Sequence, residues 1–301
     1  MTRYGAELIV QTEQSEHIRC TARRKFEHIA CGDYVCWQES QQGNAIVTTL
    51  LPRKNALMRP DRRHRPKAIA ANIEQIIIVS SWRPKPSWML VDQYLIAAQQ
   101  MGAEAIIVIN KSDLSKQYAQ EKDWQAIRDY ESIGYRVIET IATDDEAGTT
   151  NKQGISTVRQ HLEDKTSIFV GQSGVGKSSL IQQVLPELAI KVGDISQSGE
   201  GKHTTTTADL YRIAANTYMI DSPGVRDFML SEINAEIIRD GYREFTEIGH
   251  ACRFSNCSHT HEPHCQIKKE VETGLIAIGR YKRYLAKLDL LLDTAAISPW
   301  G

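Results

Sequence analysis

The sequence predicts a multidomain α/β protein in three parts: an all-β start, a parallel sheet wrapped in helices, and a helical end. Three patterns carry this reading. Before about residue 70, apolar residues come in short alternating runs broken by polar or glycine-containing turns. From residue 76 to residue 220, strand-like runs alternate with helical stretches, which is the signature of a parallel sheet. After about Ser231 the strand signals stop, and cysteines and histidines crowd into one short segment. The expected boundaries are 1–68, 69–231 and 232–301.

In the first part the runs at residues 6–10, 18–22, 34–37 and 45–50 read as strands of a small barrel or sandwich, with turns at Gly32-Asp33 and Gly43-Asn44. In the second, strands are expected at 76–80, 105–110, 135–140, 167–170 and 217–220. Helices are expected at 89–101, 123–133, 155–162 and 177–185. The third part should hold a helix at 235–245 and a terminal helix. In the terminal helix Tyr281, Tyr284, Leu285, Leu288 and Leu292 share a face, with Lys282, Arg283 and Lys287 off it.

The chain has 301 residues and 41% hydrophobic residues, enough for ordinary cores. No apolar stretch near its start suits a signal peptide, and the runs 76–79 and 105–109 fall far short of the about 20 residues that span a bilayer. A cytoplasmic protein without membrane contact is expected. Of six cysteines, three lie between Cys252 and Cys265, which points to metal binding rather than a disulfide framework; Cys20, Cys31 and Cys36 read as buried residues. The net charge is −1, yet residues 1–70 carry twelve Lys and Arg against seven Asp and Glu, so the first part is basic.

Residues 171–178, Gly-Gln-Ser-Gly-Val-Gly-Lys-Ser, fit GxxxxGK[ST] and lie between an apolar strand and a helix, where a phosphate-binding loop must lie. Gly171, Gly174 and Gly176 permit backbone shapes that turn N–H groups toward phosphate. Gln172, Ser173 and Val175 complete the loop, and Ser179 follows it in the helix whose N-terminus favours negative charge. Lys177 is placed to reach the β- and γ-phosphates and the Ser178 hydroxyl to bind Mg²⁺. Asp221 and Gly224 form DxxG at the end of a strand, the setting of an acidic residue that holds Mg²⁺ through water and a glycine that senses the γ-phosphate.

Asn110, Lys111 and Asp113 fit NKxD, again at the end of a strand. An aspartate accepts hydrogen bonds from the N1–H and the exocyclic amine of guanine, which adenine does not present in that arrangement, so the expected nucleotide is GTP or GDP. The guanine motif precedes the phosphate loop by 61 residues, the reverse of the usual order, so the sheet is expected to be circularly permuted. Residues 199–207 form a polar, glycine-rich candidate switch whose threonines are candidates for Mg²⁺. Val225 stands where many GTPases place a water-orienting glutamine. Intrinsic hydrolysis should therefore be slow, with His203 or a partner supplying activation.

Cys252, Cys257 and Cys265 are soft ligands suited to one structural Zn²⁺, with a fourth ligand among His250, His259, His261 and His264.

These residues, in this order, resemble the ribosome small-subunit-dependent GTPase A family. The likeness covers nearly the whole chain. It includes Gly32 to Val35, the RxxxLxRP run from Arg53 to Pro60, NKSD, GQSGVGKSS, GKHTTT, DSPGVRDF and the zinc spacing, in which His259 is the fourth ligand. The resemblance implies an N-terminal OB-fold, a permuted GTPase domain and a C-terminal zinc domain. It further implies a protein that binds the small ribosomal subunit and its rRNA late in assembly and is stimulated by it; a monomer is expected. Arg280, Lys282, Arg283 and Lys287 are further candidates for rRNA contact. The serine-alanine motif that backs guanine in such proteins is degenerate near residues 140–143, and no residue is assigned there. The alternative is a nucleotide-gated RNA-binding protein with incidental turnover, a reading that Val225 keeps open.

Overall fold

A computed structural model of the chain describes residues 2–4, 7–12, 14, 16–22, 26, 28–39, 45–60, 66–142, 152–186, 208–221 and 234–297. Strands β1 (Thr2–Tyr4), β2 (Glu7–Gln11), β3 (His17–Ala22), β4 (Val35–Glu39) and β5 (Ala45–Leu50) form one sheet in the order β1-β2-β3-β5-β4. All its pairs are antiparallel except β3 with β5. Alternation turns Leu8, Val10, Cys20, Ala45 and Val47 inward, where Ile29 joins them. Cys20 and Cys31 are buried as expected, but Cys36 is exposed, since Val35 and Trp37 on either side of it take the inward face of β4.

A hairpin follows, β6 (Ala56–Pro60) with β7 (Pro66–Ala71). It is fastened to the first sheet by a two-pronged ion pair: Arg53 Nε and Nη2 donate to Asp33 Oδ1 and Oδ2 at 2.6 and 2.7 Å. Two stretches of the chain that share no local pattern meet there.

The central sheet has six strands: β8 (Gln75–Ser81), β9 (Glu104–Asn110), β10 (Arg136–Thr140), β11 (Thr166–Val170), β12 (Asp209–Ala214) and β13 (Thr217–Asp221). Their order is β10-β9-β8-β11-β13-β12, parallel throughout except for β12. Every residue of β8 and β11 is buried, as strands covered on both faces require. Ile76, Ile78, Ile107 and Ile109 face helices α1 (Trp88–Met101) and α3 (Glu121–Ser132), with the short α2 (Ser115–Tyr118) between them in the chain. Ile77, Val79, Ile106 and Val108 face α4 (Lys152–Leu162) and α5 (Lys177–Val184). Adjacent residues thus belong to opposite cores, the consequence of the two-residue strand period.

The third part comprises α6 (Ala235–Asp240), α7 (Arg243–Gly249), α8 (Gln266–Thr273) and α9 (Ile278–Ile297). The single helix expected over 235–245 is two, because Gly241 ends one and Tyr242, in extended backbone, opens the next. Ile238, Tyr242, Phe245, Ile267, Tyr284 and Leu288 form its core, and Ile96 of α1 reaches into it. Leu292, expected on the buried face of α9, is 66% exposed, because the face continues from Leu288 to Leu291 and leaves Leu292 outside it.

Arg280 and Arg283 are also not free for rRNA. Arg280 is 1% exposed and bridges Asp92 of α1 to Glu244 of α7, while Arg283 Nε donates to Asp92 Oδ2 at 2.6 Å. Lys287 is half-buried beside them, and burial draws its amine down to about 8. Lys282 alone of the four is exposed.

Candidate nucleotide site and metal centre

Parallel strands β8 to β11 finish at one edge of the sheet, so the segments after them are neighbours whatever their order in the chain. Residues 171–176 form the loop between β11 and α5. Gly171 has φ 143°, and a Cβ there would lie 2.0 Å from the Val79 carbonyl oxygen. Gly176, at φ 89°, caps α5, and a Cβ on it would lie 2.4 Å from Asn110 Nδ2. Only glycine satisfies both torsion and space at these positions. The first turn of α5 presents its backbone N–H groups at the loop, an arrangement suited to phosphate.

Asn110 closes β9 and is 1% exposed. Its Nδ2 donates to the Val175 carbonyl at 3.0 Å, and its Oδ1 accepts from Thr140 Oγ1 at 3.1 Å and from Ala142 N at 3.2 Å. One side-chain amide therefore joins the glycine loop, the end of β9 and the end of β10. Lys111, with φ 57°, lies over the loop, its Nζ donating to the Gly174 and Arg83 carbonyls at 2.7 Å each. Asp113 follows on a 3₁₀ turn, Ser112–Leu114, and is exposed.

Lys177 Nζ donates to the Gly171 and Gln172 carbonyls at 2.7 and 2.8 Å. Ser173 and Ser178 are exposed and Ser179 is half-buried, while Val175 is buried in the core beneath the loop. Asp221 ends β13, which pairs with β11 and so delivers it to the same edge of the sheet. Residues 199–207 with His203, and residues 222–228 with Gly224 and Val225, lie outside the described residues.

The second site lies in the third part. Cys252, Cys257, His259 and Cys265 each offer one ligand atom, all within 4.8 Å of one another. Cys252 Sγ and Cys265 Sγ lie 3.6 and 3.4 Å from His259 Nδ1 and 4.0 Å apart. Tetrahedral Zn²⁺ with its usual bond lengths demands sulfur–nitrogen edges of about 3.6 Å and sulfur–sulfur edges of about 3.8 Å. The set fits zinc. It also decides among the histidines: His259 is 3% exposed and faces the thiols, whereas His250, His261 and His264 are exposed.

Burial, with the neighbouring thiols adding to it, pushes Cys257 up to about 12, and burial draws the His259 imidazole down. A neutral imidazole is the form that binds metal, and a divalent cation reverses the rise of a thiol that coordinates it. Tyr281 and Tyr284 donate to the His259 and Ser258 carbonyls at 2.7 and 2.6 Å, so α9 holds the ligand loop directly.

The model of the RsgA GTPase family matches residues 50–231. The chain is 40% identical over 291 residues to a Hahella chejuensis protein named small ribosomal subunit biogenesis GTPase RsgA, covering 95% of this chain and 81% of that one. This chain belongs to the RsgA GTPase family. A Haemophilus influenzae protein of the same name is 39% identical over 299 residues, 98% of this chain and 84% of its own.

Two crystal structures share the fold of this RsgA family member. YjeQ from Thermotoga maritima has a TM-score of 0.75 and 32% identity, covering 96% of this chain and 95% of its own. YloQ, described as a circularly permuted GTPase, has a TM-score of 0.74 and 26% identity over 97% and 93%. The permutation expected from the order of the motifs is therefore the family's architecture.

Thr140 and Ala142 are the part of the site that the sequence did not disclose. Ala142 acts through its backbone N–H, which leaves no side-chain signature, and Thr140 stands where a serine was sought. Among the described residues no helix is long and apolar enough to cross a membrane.

Proposed function

We propose that this chain hydrolyses GTP during small ribosomal subunit biogenesis, the process for which its relatives are named, and that the subunit and its rRNA switch it on. The observation that carries the nucleotide part is the Asn110 amide, which holds the guanine-reading turn and the glycine loop 3.0 Å apart through one hydrogen bond. Asp113 reads the N1–H and amine of guanine. Lys111 covers the loop. The backbone of residues 171–176, with Lys177 and Ser179, holds the phosphates.

Mg²⁺ neutralises charge between the β- and γ-phosphates when bound, with the Ser178 hydroxyl and Asp221 as the groups that would hold it. Gly224 senses the γ-phosphate, and His203 positions the attacking water in the place where Val225 cannot. The Cys252, Cys257, His259 and Cys265 set holds one structural Zn²⁺, since four protein ligands leave no open position for chemistry.

We divide the molecule into an OB-fold RNA-binding unit (1–68), a permuted GTPase unit (69–231) and a zinc-binding helical unit (232–301) in a monomeric cytoplasmic protein. The five-stranded mixed sheet and the basic excess of its segment support the first assignment. The test is GTP turnover by the full chain with and without purified small subunits. Strong stimulation is expected. Val225 favours one competing reading, a nucleotide-gated RNA-binding protein with incidental turnover, and unchanged turnover with subunits present would favour it instead.

A further inference from the structure

The aromatic side chains of the third part are mostly interior: Tyr242, Phe245 and Tyr284 are at most 1% exposed. Among the described residues of this part Phe254 is the most exposed aromatic, at 41%, in the loop between Cys252 and Cys257. The Arg253 guanidinium carbon lies 5.6 Å from its ring centroid, within cation–π range. Beside the ring opens a cavity of about 260 Å³. Phe245 and the ligands Cys252, Cys257 and His259 form its inner wall, and Asp240, Thr246, His250 and Ser255 give its rim donors and acceptors. This is less than the about 300–1,000 Å³ of sites for larger ligands, and suits a single flat ring system.

Charge favours a nucleic acid as the source of that ring. Residues 250–269 carry Arg253, Lys268 and Lys269 against one carboxylate, Glu262. That carboxylate is turned inward, accepting from Ser258 N, Ser258 Oγ and Thr260 N at 2.6, 2.6 and 3.0 Å. Arg239, which also lines the cavity, is occupied by Asp240 at 2.9 Å and Glu236 at 3.6 Å, so the cavity itself is not built to hold phosphate. Among the described residues beside the cavity, Arg253, at the ring, is a cation with no ion-pair partner, unlike Arg239. A stacking face, a polar rim and a cation at the edge are what an unpaired base with its adjoining phosphate requires.

We infer that Phe254 is a stacking platform for one unpaired base of RNA, seated at the mouth of this cavity with Arg253 at its backbone. The inference rests on the proposed function only in naming ribosomal RNA as the source of the base.

The experiment uses the full, zinc-loaded chain and short single-stranded RNA oligonucleotides carrying 2-aminopurine, whose fluorescence responds to stacking. It compares Phe254→Leu and Phe254→Trp with the parent, with zinc content measured for each, and then measures co-sedimentation with small subunits. Phe254→Leu should retain zinc yet bind the oligonucleotides about 5- to 160-fold more weakly, the loss of a single base stack, while Phe254→Trp restores binding. Equal affinity of Phe254→Leu and the parent would overturn the inference. So would a loss of subunit binding with oligonucleotide affinity unchanged, which would give the surface to a ribosomal protein. A parent chain that small subunits fail to stimulate would sink the proposed function instead, and leaves the oligonucleotide comparison intact.

Discussion

Arg280 of the last helix reaches Asp92 of the first helix of the central unit at 2.5 Å, across 188 residues of chain, with both side chains at most 1% exposed. Around them Glu244, Arg283, Tyr130 and Tyr242 complete a network that joins α1, α3, α7 and α9. Residues 82–87, which lead from β8 into α1, touch the candidate nucleotide site, since Lys111 donates to the Arg83 carbonyl and Pro84 lies near Gly174. The helical third part, with its four candidate metal ligands, is thereby coupled to the helix that leaves that edge of the sheet.

Asp92→Ala should destabilise the protein by about 3–5 kcal/mol, the usual cost of leaving a buried charge without its partner. Urea denaturation of the two proteins measures it. Burial pushes the Asp92 carboxyl up, but Arg280 and Arg283 outweigh it and hold the carboxyl below its ordinary value. A folded-state pKa below the unfolded one gives stability that is complete above about pH 4 and drains away as pH falls further. The difference between parent and variant should accordingly shrink in acid. A difference independent of pH would contradict the ionised assignment.

Asn110→Asp keeps the shape of the side chain and removes its N–H donor. The Val175 carbonyl loses its partner and faces a carboxylate, and leaving a buried polar group unsatisfied costs about 1–3 kcal/mol. Affinity for a fluorescent GDP analogue should fall about tenfold, and the thermal midpoint by several degrees, since the lost bond is buried in the folded protein. Parent-like affinity would mean that the tie between the two motifs does not position the nucleotide.

Much of the frame was legible because it is periodic. The central strands and α1, α3, α4 and α5 fall within a few residues of their expected places, since buried runs and helical spacing are local properties. Strand β12 was missed because Asp209–Ala214 is only partly buried along nearly its whole length, without clean alternation. The hairpin β6–β7 and helix α8 were missed as well, since short elements bounded by proline or flanked by cysteine and histidine give weak patterns. Arg280 reads as a surface cation from its helix alone, because the acids that bury it belong to other helices. Asn110 and Lys111 were visible as a motif, but their attachment to Val175 and Gly174 depends on a fold that brings together residues 65 and 63 apart in the chain.

Lys177→Ala should abolish tight GTP binding. The ammonium is held against the loop by two of its carbonyls, at 2.7 and 2.8 Å, and alanine removes both the charge and the tether. Equilibrium titration with a slowly hydrolysed GTP analogue tests this, and undiminished affinity would count against the phosphate-loop assignment.

Asp113→Asn should exchange guanine preference for xanthine. The carboxylate accepts from two donors of guanine, whereas an amide offers a donor that suits the 2-oxo group of xanthine. Competition between GTP and XTP for the same site gives the ratio directly. Selectivity unchanged by the substitution would place guanine recognition elsewhere in the chain.

The metal centre gives the last test, because its ligands and its exposed histidines predict different outcomes. Cys257→Ser should lower zinc from about one per chain toward none and unfold the loop that carries Phe254, since a structural site draws folding energy from the metal. His261→Ala should leave zinc content as in the parent, for His261 is exposed while His259 lies 3.4 Å from the Cys265 sulfur. The loss should spread beyond the loop: Tyr281 and Tyr284 bond its carbonyls from α9, the helix that also carries Arg280. Amide hydrogen exchange should therefore rise in α9 of Cys257→Ser as well as in the loop. Elemental analysis finding zinc retained in Cys257→Ser and lost in His261→Ala would reverse the ligand assignment.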